Sequence, residues 1–268
     1  MMTIDVDELK RFVESVEIHE GIAESSPPVD RSSSPREPRT AQGAAVEGSD
    51  PSLLPGYQAA VSWGYVFCFL GNVSEQTKSD VETSLLFARL AAKKKFKDCP
   101  ATADWCKTYI NTLLKLGWTS VPIVFTKVRD TSTYESFKHL VIDRASTHLS
   151  EDRQTTLGGV LDAINAEANK QAKNILTTTS VEEKLANIQI GFVSESNGSP
   201  VLGLDGYDLK ADGKITDVFG LRFASHSVEI SHAYQEMTLD ISLYGMVRDH
   251  VCAKLAKTTP RVVRDLIM

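Results

Sequence analysis

Six histidines, His19, His139, His148, His226, His232 and His250, are the side chains of this 268-residue chain best suited to proton transfer at neutral pH. A Ser–His–Asp site can be drawn from Ser227, His226 and Asp205, but no G-x-S-x-G elbow accompanies it. His232 continues the apolar face of an alternating run, which suits a hydrogen-bonded core histidine. Asp249, His250 and Cys252 fall on one predicted helix, yet adjacent residues on a helix point about 100° apart. Asp208, Asp212 and Gly213 match positions one, five and six of a calcium loop. Position three is then Lys210, and position twelve is Phe219 where Glu is needed, so a turn is the simpler reading. Gly213-Lys214 lacks the hydroxyl residue and the leading glycine of a phosphate-binding loop. No catalytic motif is assembled. The expectation is a protein without enzyme activity, with no cofactor and no metal site.

Two stretches could bind rather than react. Lys93-Lys94-Lys95 invites a phosphate or anionic-lipid reading. Its place in the last turns of a predicted helix is explanation enough, because cations suit the negative end of the helix dipole. Tyr57 to Leu70 is the most apolar run of the chain and includes Trp63, Phe67, Cys68 and Phe69. A bilayer span needs ~20 apolar residues, so the run is too short for one, although peripheral membrane contact stays open. Its aromatic and β-branched content favours a buried strand or a short buried helix. The simpler expectation is plain core; the sharper one is an apolar ligand cavity lined by Trp63, Phe67, Cys68 and Phe69.

The elements that must position these residues follow from periodicity. Ile188, Ile190 and Phe192 alternate with Asn187, Gln189 and Gly191. A period of two puts the apolar set on one strand face. Asn197-Gly198 and Asp212-Gly213 read as turns with positive φ. Strands are expected over Ala186 to Val193, Val201 to Leu209 and Ile215 to Phe223. A fourth alternates through Val228, Ile230, His232 and Tyr234. Ser79-Asp80-Val81-Glu82 reads as a capping box opening a helix through Phe96. Further helices are predicted from about Asp104 to Leu116, around Phe137 to Ala145, around Leu157 to Ala168, and from Leu239 to Lys257. Val121 to Val128 reads as a strand, and the residues after Pro260 as a short tail. The fold class is α+β: an antiparallel β-meander of four or more strands, covered on its dry face by amphipathic helices.

Charge and composition place the rest. The first 50 residues carry 11 acidic and 5 basic side chains, leaving 24 of each in the remainder. A neutral body lacks the basic footprint of a nucleic-acid binder. Residues 1–52 form an acidic, Ser/Pro-rich arm, expected to be largely disordered because it cannot bury enough apolar surface to offset its ordering entropy. Within it, Leu9, Phe12, Val13 and Val16 share one side of a short predicted helix. Residues 53–268 read as a single α+β domain. The four cysteines, Cys68, Cys99, Cys106 and Cys252, form no C-x-x-C pair. With no apolar signal segment at Met1 to Glu8, the expectation is a cytoplasmic protein with reduced thiols.

The segment Ser84-Leu85-Leu86-Phe87-Ala88-Arg89-Leu90-Ala91-Ala92-Lys93-Lys94-Lys95-Phe96, with Asp104-Trp105-Cys106-Lys107-Thr108-Tyr109, Leu116-Gly117-Trp118 and the strand from Ile188, resembles a mostly uncharacterised bacterial and fungal family. That family is linked in turn to Evf-like virulence factors, and the likeness spans roughly residues 80–257. The resemblance implies an α/β fold without an established catalytic site, and a cysteine carrying a fatty acyl group. Tyr207 falls near that cysteine's place, so acylation there does not carry over, and Tyr207 joins the candidate cavity residues. Three functional classes remain open. One is a non-catalytic interaction or effector-like protein, able to self-associate. The second is a binder of a fatty acid or other apolar ligand. The third is a hydrolase with an unrecognised site.

Overall fold

In a computed structural model, residues 5–19, 57–96, 103–119, 124–129, 131, 134–223, 227–258 and 263–267 are described. Most of the acidic arm therefore lies outside the described residues. Its helix α1 (Val6–Ser15) does not. Asp5 caps it, with Oδ1 accepting from the backbone N–H of Asp7 at 2.9 Å and of Glu8 at 3.2 Å. Val13 and Ile18 are buried, and Leu9, Phe12 and Val16 pack beside them against the body.

The run Tyr57 to Leu70 is neither one strand nor a helix. It is a hairpin of β1 (Gln58–Ser62) and β2 (Tyr65–Phe69), closed at Trp63 (φ 41°) and Gly64 (φ 84°). Two central residues at positive φ match the right-handed strand twist. Gly64 is required on a second count: a Cβ there would lie 2.4 Å from Nη2 of Arg89.

Helix α2 (Glu75–Lys95) starts one turn before the expected capping box. Ser74 is the cap, its Oγ accepting from Thr77 N–H at 3.1 Å. Asp80 of the supposed box is buried in mid-helix, where both its oxygens accept from Arg248 at 2.6 and 2.7 Å. Helix α3 (Ala103–Lys115) ends at Gly117, whose φ of 98° suits a C-terminal glycine. Strand β3 (Trp118–Thr119) follows directly; of the expected strand at Val121 to Val128 the described part holds only the short β4 (Thr126–Lys127), and residues 120–123 lie outside the described residues. Next come α4 (Phe137–Ala145), α5 (Glu151–Asn165), α6 (Lys170–Ser180) and β5 (Val181–Glu182).

The meander has three long strands, β6 (Leu185–Ser196), β7 (Ser199–Ala211) and β8 (Val228–Leu239). Asn197-Gly198 closes the first turn at φ 51° and 75°. The expected strand Ile215 to Phe223 is not formed. Strand β7 pairs directly with β8, Ala211 opposite Val228, so Ile215 to Phe223 lies outside the ladder between them. Its apolar side chains, Ile215, Val218, Phe219, Leu221 and Phe223, are spaced irregularly and bury as a plug rather than as one strand face. The expected C-terminal helix divides. Leu239 ends β8, and α7 (Ile241–Gly245) precedes α8 (Arg248–Thr258). The tail contributes β9 (Val263–Asp265).

The sheet order is β3-β8-β7-β6-β2-β1-β9, with β4 on β8 and β5 on β6. All pairs are antiparallel except β2 with β6, which is parallel. Both faces are covered. Ile188, Ile190, Phe192, Tyr207 and Ile230 pack under α4, α5 and α6. Val193, Leu202, Leu204 and Met237 pack on the opposite face under α2, α3 and α8, with α1 outermost. The face expected to be wetter is therefore buried as well; Asn187 and Gln189 on it are 3% and 4% exposed.

Candidate functional site

A cleft that combines apolar side chains with polar groups lies between α1, α2 and α3. Each helix contributes residues spaced to share a face. Phe12, Val16 and Glu17 come from α1 and the turn after it, Ala91, Lys94 and Lys95 from α2, and Thr108, Asn111, Thr112 and Lys115 from α3. The cleft holds about 420 Å³, within the range of ~300–1,000 Å³ typical of small-ligand sites. Its floor is Phe12, Val16 and Ala91; its rim is lysine. The Lys115 ammonium sits 4.3 Å from the centre of the Phe12 ring, a cation–π contact across the α1–α3 seam. Among the described residues, no carboxylate lies within ion-pair distance of Lys94, Lys95 or Lys115, whereas neighbouring Lys93 pairs with Glu182 at 2.8 Å.

The wall made by α1 is held from two sides. Lys254 of α8 donates to the carbonyl oxygens of Val13 at 2.9 Å and Glu14 at 2.7 Å, which satisfies acceptors left open at a helix C-terminus. Burial lowers the Lys254 pKa, and Glu14 and Glu17 oppose that shift. The backbone N–H of His19 donates to Leu90 O at 3.1 Å, tying the chain after α1 to α2.

Two polar constellations lie against the sheet. On the α4–α5 side, the buried carboxylate of Asp205 bridges two imidazoles. Nε2 of His148 is 2.9 Å from Oδ2, and Nε2 of His232 is 2.7 Å from Oδ1. The His148 ring stacks on Tyr234 at 3.7 Å. Thr147 uses its one hydroxyl proton on Arg144 O at 2.7 Å, so its 3.2 Å contact with Nδ1 of His148 closes only with a proton on that nitrogen. Both carboxylate oxygens are engaged, and the arrangement ties the α4–α5 connection to β7 and β8. Among the described residues, no group of three or more His, Cys, Asp or Glu side chains is disposed to hold a metal ion.

On the opposite face, Arg89 donates to Asn187 Oδ1 at 2.7 Å and to Asn187 O at 3.0 Å, and Asn187 donates to Asp208 at 2.5 Å. Burial raises the Asp208 pKa to about 7, against the Asn187 hydrogen bond and the Arg89 charge. Beside it, Tyr65 donates to Tyr109 at 3.0 Å, and Tyr109 to Gln189 Oε1 at 3.2 Å. These bonds satisfy the polar strip that α2 and α3 cover.

The residues singled out in the sequence fall as follows. Trp63, Phe67 and Phe69 belong to the core under α2 and α3, whereas Cys68 and Tyr207 belong to the core under α4–α6. The sheet separates the two groups, because successive residues of β2 point to opposite faces. Cys68 is fully buried, and burial pushes its thiol up to about 12, which keeps it protonated at neutral pH. Asp205 engages His148 and His232; His226 lies outside the described residues. His250 faces Glu14 at 4.0 Å rather than Asp249. Asp208 and Asp212 part: Asp208 is held by Asn187, and Asp212 accepts from Ser227 N–H at 3.2 Å. The cleft residues were visible as the apolar side of a helix and a lysine run. The i, i+3, i+4, i+7 set Thr108, Asn111, Thr112 and Lys115 was also legible, but nothing in the sequence says that three helices bring these faces together.

Comparison with known proteins gives no matching family model and no matching curated protein. Some solved structures are weakly similar. A delta-endotoxin aligns at TM-score 0.32 and 10% identity, covering 77% of this chain and 91% of that one. Activated Cyt2Ba monomer from Bacillus thuringiensis subsp. israelensis aligns at 0.35 and 8%, covering 66% and 96%. The Evf virulence factor aligns at 0.33 and 12%, covering 78% and 86%. These neighbours are toxin and virulence-factor proteins, and the likeness to each is weak.

Proposed function

We propose that this protein is a non-catalytic binding protein whose ligand carries an apolar chain, and that the chain lies in the α1–α2–α3 cleft. The observation that supports the reading is an apolar floor of Phe12, Val16 and Ala91 inside a 420 Å³ space. Each methylene buried there would contribute ~0.8 kcal/mol. The cores on the two sheet faces are filled by the chain's own side chains, so a surface cleft is the better host for a long apolar group.

The test is titration of the full chain with 1-dodecanol and with dodecanoate, both below their micelle concentrations, by displacement of an uncharged fluorescent probe. Saturable binding of at least one of them near one per chain is expected. Asn111→Trp, at an exposed position on the cleft wall, should weaken it about tenfold, the factor that ~1.4 kcal/mol represents. If neither compound binds, or if the tryptophan changes nothing, the cleft is not the site.

A further inference from the structure

We infer that the ligand of this cleft is a single-chain amphiphile with an anionic head group, carboxylate or phosphate, held by Lys94, Lys95 and Lys115. The inference rests on the reading of the cleft as an apolar-chain site and adds the chemistry of its mouth. Three lysines line one 420 Å³ space with a single acidic residue, Glu17, among its walls. Elsewhere on the same helix Lys93 has a partner in Glu182 at 2.8 Å, but the described residues give these three none within ion-pair distance. Like charges so grouped repel one another, and the repulsion is relieved when an anion enters.

The dipole at the end of α2 explains why lysines are tolerated there. Lys115, in the last turn of α3, is tolerated for the same reason; what the dipoles do not account for is that two separate helix ends turn their lysines to one space. Thr108, Asn111 and Thr112 add hydroxyl and amide groups beside the lysines. Thr112 already donates its hydroxyl proton to Thr108 O at 2.8 Å, which leaves the Thr108 hydroxyl and the Asn111 amide as donors to a head group. The Phe12 ring lies under Lys115, so a chain entering along Phe12 and Val16 places its head at the ammonium group. An apolar floor with a cationic mouth is complementary to an amphiphilic anion, and less so to a neutral lipid or a small inorganic ion.

The experiment compares dodecanoate, dodecyl phosphate, 1-dodecanol and inorganic phosphate on the full chain at two ionic strengths. Anionic ligands should bind about tenfold more tightly than the alcohol at low salt, an advantage that shrinks as salt screens the lysines. Lys94→Gln and Lys115→Gln should each reduce the advantage, Lys115→Arg should keep most of it, and Lys93→Gln, at a residue paired outside the cleft, should not touch it. Unchanged melting temperatures of the glutamine variants, which sit at accessible positions, would show that the loss is one of binding.

Equal binding of dodecanol and dodecanoate overturns the head-group inference and leaves the apolar-chain reading standing. Binding of neither chain overturns both. Displacement by inorganic phosphate at concentrations as low as those of dodecyl phosphate would make the cleft a free-anion site and overturn the amphiphile. Retention only on vesicles of anionic phospholipid, with no binding of the monomeric amphiphiles, would assign the lysines to a membrane surface instead.

Discussion

Asp208 shows how far a residue's surroundings can change its chemistry. Its carboxyl sits at the edge of the strip that α2 and α3 cover, and burial lifts its pKa from 3.8 to about 7. A carboxyl raised in the folded state holds its proton after the unfolded chain has lost it. Its contribution to stability is therefore fully present below pH 3.8 and is lost as pH rises through about 7. Because Asp208 retains some exposure, the loss expected between pH 4 and pH 8 is on the order of 2–3 kcal/mol. Asp208→Asn should remove that slope, leaving the variant more stable than wild type at pH 8 and nearly equal at pH 4. Urea unfolding at the two pH values checks this. A variant that loses stability equally at both would mean that the ionised carboxylate is needed by Arg89, and that the pairing outweighs the desolvation. Asp205 is the counterpart across the sheet. Asp205→Ala should destabilise by several kcal/mol, because it leaves two part-buried imidazoles without their shared acceptor.

Among the elements, the β1–β2 hairpin depends on its turn glycine. Gly64→Ala meets both a positive φ and the Arg89 guanidinium, and should lower stability by roughly 2–4 kcal/mol in thermal or denaturant unfolding. A near-neutral result would show that Arg89 can move without losing Asn187. In β8 the register is equally testable. Ile230 is 1% exposed, so Ile230→Asp buries an unpaired charge and should cost several kcal/mol. Glu229 on the other side is exposed and within 3.5 Å of Lys127, so Glu229→Lys should change stability by less than about 1 kcal/mol. Reversed effects would put the strand one residue out of register.

At the scale of the whole molecule, α1 decides whether the first residues count as part of the body. Composition alone makes an arm of residues 1–52 and suggests that it can be removed without loss. The buried side chains of Val13 and Ile18, with the two carbonyls held by Lys254, say otherwise for the first 19 residues. Deleting residues 1–19 should lower the melting temperature by several degrees, expose apolar surface of α2, α3 and α8 to a dye, and remove one wall of the cleft. Deletion within residues 24–50 tests the linker separately and should leave the melting temperature unchanged.

Much of this was written in the order of residues. Alternation from Ala186 and from Val228, the Asn197-Gly198 turn, and the helices ending at Gly117 and containing Phe137 to Ala145 are properties of neighbouring residues, set by backbone sterics and by a 2.0 or 3.6 repeat. The tertiary structure decided what such local rules cannot. Ile215 to Phe223 reads as a strand, but β7 and β8 already satisfy each other's backbone groups, so the segment can join only as a plug. Asn187, Gln189 and Asp208 look like a wet strand face because polar side chains normally seek water. They are covered because Arg89, Tyr65 and Tyr109, distant in sequence, supply the hydrogen bonds that water would otherwise make. The cleft is decided in the same way. Its apolar and cationic residues sit on three helices, and only the docking of those helices turns separate faces into one space.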